Sequence, residues 1–422
     1  MMTDTFKKSV LPWAICALGA VFYCYEYFLR ISPSVMTSEL MSRYHLTGAA
    51  LGNLSAFYYY AYVPMQIAVG LFLDRFGPRR LLTGACVVSA AGVYLFAGDY
   101  GLYVALFGRF MLGLGSAFAF VGALKLATIW LPPNRFALVS GIILCLGMIG
   151  GWGGDNILHY MIETWGWQVA VYVAAAAGMV LAMILYMIVR DTNHSTHHYV
   201  SRHVHFKEVL VYLKIALKNP QIWLNGFVGL CLYVSLSALT EFWGIKYLEQ
   251  AHHFTSGDAT FANSLSFIGW AVGGPVWGWF SDYFKRRCLP LTLSSLSALI
   301  LLCVLLYVPD LSVHQVEWLL FTIGLCSSAQ ILVFAIGHEI SQMKIAGTAI
   351  ALTNMIVMLS GLVFQPLIGK LLDLSWTGTM LDGARVYSPA SYQYALSLIP
   401  ISVFLALIVT FFIRETHCSM QR

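Results

Sequence analysis

Tyr23, Glu26, Tyr27 and Arg30 recur at i, i+3, i+4 and i+7, so on a helix they share one face. A carboxylate, a guanidinium and two phenols on one stripe can hold a small charged solute or pass a proton. Glu26 and Arg30 are also four apart, and an intrahelical ion pair beside an aromatic belt accounts for the same residues. Similar chemistry recurs further on. Arg109 is followed by Gly113-Leu114-Gly115, and Tyr58, Tyr59, Tyr60 and Tyr62 crowd one stretch, of which one or two can face a common cavity. The second half of the chain offers Asn225, Tyr233 and Glu241, then Asn263, Ser266 and Trp270, then Ser327, Gln330 and Phe334, then Asn354 and Gln365. Each of these serves equally well as interhelical hydrogen-bonding glue. No nucleophile–base set accompanies them, and the nine cysteines have no metal-ligand or disulfide spacing. Catalysis, a metal site and a cofactor are not expected.

The elements that must carry these residues are membrane helices. The chain has 422 residues, of which 59% are hydrophobic and 10% charged, with mean hydropathy +0.74. A water-soluble domain of that size needs far more polar surface. The apolar runs are continuous rather than alternating, which favours helices over a barrel. Spans are expected at 10–34, 48–73, 81–98, 101–127, 136–160, 167–189, 221–245, 259–281, 289–308, 314–337, 345–369 and 391–413. Lys7 and Lys8 precede the first run in the manner of a signal peptide, but the run continues to Tyr27, so it reads as an uncleaved span. With both termini cytoplasmic, that side receives Lys7, Lys8, Arg75, Arg79, Arg80, Arg135, Arg190, Lys285, Arg286, Arg287, Lys344 and Arg414, while the opposite side keeps little beyond Arg43, Lys246 and Arg385. The net charge of +5 therefore reflects topology and not nucleic-acid binding. Residues 190–220 form the one clear polar break. They carry His194, His197, His198, His203 and His205, which read as a solvated linker or a metal or pH sensor. Val209, Leu210, Leu213 and Leu217 follow, with the spacing of a surface helix.

The turn Gly70-Leu71-Phe72-Leu73-Asp74-Arg75-Phe76-Gly77-Pro78-Arg79-Arg80 has a near-copy in Gly278-Trp279-Phe280-Ser281-Asp282-Tyr283-Phe284-Lys285-Arg286-Arg287. The first resembles the loop between helices 2 and 3 of the major facilitator superfamily, and the second its echo between helices 8 and 9. The resemblance covers nearly the whole chain. It implies an all-α membrane protein of twelve transmembrane helices in two pseudo-symmetric six-helix halves, 1–189 and 221–422, joined by a linker over 190–220. In that family the turn is gating machinery, so Gly70, Asp74, Arg75, Gly77, Arg79 and Asp282 are the gating candidates. Asp74 is expected to meet helix 11 when the protein opens outward. The second copy has Lys285 where the first has Gly77, so the first is the better match.

The resemblance also implies that helices 1, 4, 7 and 10 line a central cavity. The substrate and coupling candidates are then Tyr23, Glu26, Tyr27, Arg30, Tyr59, Arg109, Tyr233 and Gln330. Glu26 and Arg109 fall within about one helical turn in depth at ~1.5 Å per residue, so they are expected to pair. Glu26 is also the one carboxylate expected well inside the first half. Drawing an arginine away from it would favour its protonation. A carboxylate, an arginine and several tyrosines suit a small zwitterion, while the absence of lysine or arginine deep in the second half argues against a two-arginine phosphate clamp. Tyr25-Glu26-Tyr27-Phe28-Leu29-Arg30-Ile31-Ser32-Pro33-Ser34-Val35-Met36 resembles the phagosomal transporter family of intracellular bacteria, whose members take up amino acids or nucleosides. Expected, then, is a monomeric carrier in a bacterial inner membrane that uses alternating access to take up an amino acid or short peptide with protons. Nucleosides, organic anions, a metal chelate and a non-transporting receptor are the alternatives.

Overall fold

The computed structural model describes residues 2–132, 135–191, 206–342 and 345–419. Twelve long helices follow one another: α1 (Met2–Arg30), α2 (Gly48–Phe76), α3 (Pro78–Ala97), α4 (Leu102–Trp130), α5 (Phe136–Trp165), α6 (Trp167–Ile188), α7 (Pro220–Ala251), α8 (Ser256–Phe284), α9 (Cys288–Tyr307), α10 (Val313–Glu339), α11 (Ala346–Leu374) and α12 (Pro389–Thr410). Eleven are long and apolar enough to cross a membrane; α8 is as long as α2 but is diluted by glycine, serine, asparagine and tryptophan. Each expected span coincides with one helix. The helices run further than the apolar runs because the backbone keeps its own hydrogen bonds until a cap ends it. Thr47, Thr255, Ser312 and Ser388 cap the starts of α2, α8, α10 and α12 through their side chains. The surface helix over Phe206–Leu217 forms where its apolar spacing places it, while the linker histidines lie outside the described residues.

Helix direction alternates, so both chain ends lie on one side, the terminal face, and the α1–α2 connection lies on the opposite, far face. The two basic turns occupy equivalent places on the terminal face. Gly77 ends α2 with φ +79°, and Lys285 ends α8 in the left-handed region at φ +50°. Gly is comfortable there and lysine is not, yet the turn is kept. A second repeat locks each turn. Asp191 just beyond α6 accepts from the Arg79 backbone N–H at 2.8 Å. Glu415 just beyond α12 accepts from Arg287 and Cys288 at 2.7 and 3.0 Å. Burial pushes the Glu415 carboxyl up, but the backbone N–H groups of Arg287 and Cys288 outweigh it and hold the group below its ordinary range.

The halves touch along α2 against α11 and α5 against α8. At the far face this contact is close. Asp373 at the end of α11 accepts from the Gly48 and Ala49 N–H groups at 2.8 Å each, so a carboxylate of the second half sits on the N-terminus of α2. Tyr387 and Arg385, from the short hairpin region beyond α11, hold the same carboxylate at 2.7 and 3.1 Å. At mid-depth Asn354 still reaches Gln66 at 2.8 Å. Nearer the terminal face, Gly70, Gly141, Gly278 and Gly347 have open space where a Cβ would stand. The halves are held together at the far face and at mid-depth.

This closure depends on missing side chains along the seam of α2 and α11. A Cβ on Gly52 would fall 2.4 Å from the Gln365 carbonyl oxygen, a backbone atom that cannot swing away. Gly52→Val is expected to cost the closed packing about 1–3 kcal/mol, which shifts a closed-to-open ratio roughly 5- to 150-fold. A cysteine at the buried Thr37 position, in a background lacking the native cysteines, should then label much faster from the far side while the helical fold persists. Unchanged labelling would show that α2 and α11 do not need this approach.

Candidate functional site

The stripe on α1 faces inward. Glu26 is 0% and Arg30 3% exposed, so two formal charges stand in the apolar interior. Isolated, each would cost several kcal/mol, and the surroundings show how they are held. Arg30 Nε donates to Glu26 Oε1 at 2.9 Å, the intrahelical pair that the spacing allows. Its Nη1 lies 3.7 Å from Glu241 Oε1 on α7. One guanidinium is thus shared between a carboxylate of each half.

Phenols complete the enclosure. The Arg30 guanidinium carbon stands 4.1, 5.0 and 5.2 Å from the ring centres of Tyr27, Tyr58 and Tyr62. The Tyr58 hydroxyl donates to Glu26 Oε1, and the Tyr59 hydroxyl donates to Glu241 Oε2. Tyr233 accepts from Arg30 Nη1 at 3.3 Å, donates to Glu241 Oε1 at 3.4 Å and meets the Tyr27 hydroxyl at 3.0 Å. Trp270 of α8 packs edge-on against Tyr233 at 5.6 Å. Glu26 Oε2 finds no partner among the described residues. In direct contact with one another are therefore two carboxylates and one cation, with an acceptor atom to spare.

The backbone explains how these groups converge. Tyr58 and Tyr59 are both buried because α2 passes between α4 and α11, covering a broad face, while Tyr60 turns outward at 43% exposure. A Cβ on Gly113 of α4 would stand 1.9 Å from the Tyr58 carbonyl oxygen, so glycine lets α4 seat that segment of α2. On α7, Tyr233 and Glu241 are eight apart and would diverge by about 80° on a regular helix. The wider π-helical turns over Ser235–Trp243 reduce that divergence and bring both to Arg30.

Arg109 does not pair with Glu26. Its guanidinium donates to the carbonyls of Leu29, Arg30 and Ser55 at 3.4, 3.1 and 3.2 Å, where α1 ends and its last carbonyls lack helical partners. Equal depth was not enough, because Glu26 already lies beside Arg30. Tyr23 is buried against Tyr27 and Phe120, at ring separations of 5.4 and 5.0 Å. Gln330 lies in a 3-10 turn of α10 with its Nε2 unpartnered, and it is not drawn into the Arg30 cluster. Asn225, Gln365 and Asn354 serve as interhelical glue, bonded to Val333, Ser237 and Gln66.

Glu26 is also not alone in the first half. Asp155 on α5 is 0% exposed and bonds Ser34 and Asn263. An acid beside Gly150, Gly151, Gly153 and Gly154 was the available signal. The gating candidates stay within their own halves. Asp74 pairs with Lys125 of α4, Arg75 lies against Phe76, and Arg79 also donates to the Tyr186 carbonyl at 2.9 Å. Asp282 meets Arg287 at 2.8 Å, and Arg287 meets Glu339 at 2.8 Å.

Comparison with known proteins places this arrangement. The family model of the Major Facilitator Superfamily matches residues 16–366. The protein named "Probable galactarate/D-glucarate transporter GudP" of Escherichia coli (strain K12) is 24% identical, over 90% of this chain and 91% of its own. "Probable sulfoacetate transporter SauU" of Cupriavidus necator is 25% identical over 65% of each chain. Among solved structures, a bacterial homolog of the human lysosomal transporter Spinster, inward-facing and unoccupied, superposes with a TM-score of 0.77 at 15% identity, covering 96% of this chain and 97% of that one.

Removing Arg30 would leave Glu26 and Glu241 buried without their cation. Arg30→Gln is expected to cost about 3–5 kcal/mol, seen as a large drop in melting temperature. Adding Glu26→Gln and Glu241→Gln should recover most of that loss, because the triple variant buries no uncompensated charge. A single variant as stable as the parent would show that the three groups do not act as one unit.

Proposed function

Because this chain belongs to the Major Facilitator Superfamily, we propose that it is a transporter that moves a small organic acid together with a proton. The observation that carries this reading is the sharing of Arg30 between Glu26 and Glu241. A guanidinium is the strongest binder of a carboxylate that the deep interior offers. Here it is occupied by the protein's own carboxylates, which an incoming acid must displace. A displaced glutamate would lie beside another anion in a dry site, and it takes up a proton rather than remain charged. Substrate and proton then enter together, and for a solute with one negative charge the cluster's net charge is unchanged.

The same exchange bears on movement. Glu241 stands on the second half and Arg30 on the first, so passing Arg30 from Glu241 to the substrate loosens the tie between α1 and α7. The halves, 1–189 and 221–422 with 190–220 between them, then rock about the site, exposing it to each side in turn. The basic terminal face is the cytoplasmic one by the positive-inside rule, which puts both termini in the cytoplasm of a bacterial inner membrane. One chain brings every residue of the cluster together, so a monomer suffices. Asp74, freed for α11 in the opposite conformation, is the gate on that side.

Galactarate, D-glucarate and sulfoacetate, the solutes in the two relatives' names, all carry carboxylates, which favours an organic acid over a sugar or nucleoside. The unpartnered Glu26 Oε2 supports a second reading, an amino acid or short peptide whose ammonium would meet that oxygen while its carboxylate takes Arg30.

Two outcomes test this. In a competition assay the free acid of a transported solute should outcompete its amide by about 10- to 150-fold, the worth of a charge-assisted hydrogen bond of ~1.5–3 kcal/mol. Equal competition would remove the carboxylate from the recognised group. Separately, Glu26→Gln or Glu241→Gln should abolish accumulation driven by a pH gradient while sparing exchange of labelled for unlabelled solute. Full pH-driven accumulation in both variants would place the proton elsewhere.

A further inference from the structure

Asp155 is a second buried carboxylate, placed where the halves meet. It projects from α5 toward α8, with Oδ1 3.3 Å from Ser34 Oγ and Oδ2 2.8 Å from Asn263 Nδ2. The charged and titratable groups on the elements around it are already committed. On α1, Glu26 and Arg30 hold each other; on α4, Arg109 holds backbone carbonyls; on α7, Glu241 is engaged with Arg30 and Tyr59. On α8, Asp258 lies at the exposed far end, and α6 carries no charged side chain. On α5 itself His159 pairs with Glu163. Among the described residues no cation touches Asp155.

The hydrogens can be counted. Ser34 Oγ has one, and it lies 2.8 Å from the Ile31 carbonyl, which can only accept. With that hydrogen on the nearer Ile31 carbonyl, the 3.3 Å contact from Ser34 Oγ to Asp155 Oδ1 is filled when Asp155 carries the hydrogen. The two hydrogens of Asn263 Nδ2 are both used, on Asp155 Oδ2 and on the Thr240 carbonyl, each at 2.8 Å. Both contacts of Asp155 are satisfied if it is a carboxylic acid, donating to Ser34 and accepting from Asn263.

We propose that Asp155 is a proton-binding residue of the transport cycle whose protonation closes the far face. When α5 and α8 are apart, Asp155 is a hydrated carboxylate. It takes one proton from water on the far side, and the neutral acid can then be buried between Ser34 and Asn263. Opening reverses the step and returns the proton to the same water. This rests on the proton-coupled reading above, but it concerns a different carboxylate, in a contact that contains no substrate.

The test uses the full chain without substrate, with a cysteine at Thr37 reporting far-face accessibility across pH. The parent should label quickly at high pH and progressively more slowly as pH falls. Asp155→Asn, which keeps a donor for Ser34 and an acceptor for Asn263, should label slowly at every pH. Ser34→Ala removes the acceptor of the neutral acid and should move the midpoint of closure to lower pH by about 0.5–1 unit. Parent labelling that ignores pH, or Asp155→Asn labelling that keeps the parent's profile, overturns the proposal. Should Asp155→Asn not fold, an unmoved midpoint in Ser34→Ala overturns it. Because solute and its transport are absent, failure of the Glu26 and Glu241 coupling would leave these outcomes unaffected.

Discussion

A guanidinium buried at 3% exposure has to be neutralised where it stands, and the region around Arg30 is organised by that requirement. Glu26 supplies one carboxylate from the same helix. Glu241 supplies the other from the opposite half, and the tyrosines of α1, α2 and α7 fill the space with rings and hydroxyls. The consequence is mechanical as well as electrostatic. A charge that needs partners from both halves ties them together at that depth. In the proposed function, a solute that satisfies the charge instead would remove the tie without leaving it unpaired.

The far-face closure obeys a different physics. It is made by backbone brought against backbone at Gly52 and by Asp373 on the N-terminus of α2, a contact between a fixed charge and a helix end. Close approach of this kind has no intermediate positions, because a carbonyl oxygen either fits against a glycine or meets a Cβ. The closed face is therefore a discrete state and not one point on a continuum. Asp155 adds a chemical condition to it, since the carboxyl group must lose its charge before α8 can cover it.

The terminal face is built by repetition. Asp191 and Glu415 lie just beyond α6 and α12 and cap the starts of α3 and α9, and each half keeps its own salt bridges at the basic turn. The ends are held within their own halves, and Asp74 is partnered by Lys125 in this conformation.

Continuous apolar runs, the doubled basic turn and the stripe Tyr23–Arg30 were enough to place twelve helices in two halves and to set Glu26 and Arg30 on one face of α1, because these features are local and have fixed helical periods. The Glu26–Arg30 pair follows from a spacing of four. What lay outside the sequence's reach were the contacts across long separations. Depth alone suggested Arg109 as the partner of Glu26, but Glu26 lies beside Arg30, and Arg109 sits on the last carbonyls of α1. Consecutive tyrosines on α2 could not be sorted until α4 and α11 packed on either side. The convergence of Tyr233 with Glu241 needed a local widening of α7 that no residue type announces. Asp155, absent from the sequence-based site, gains its partners only when Ser34 and Asn263 are brought against it from other segments. Periodicity gives the face of a helix; only packing gives the identity of what that face meets.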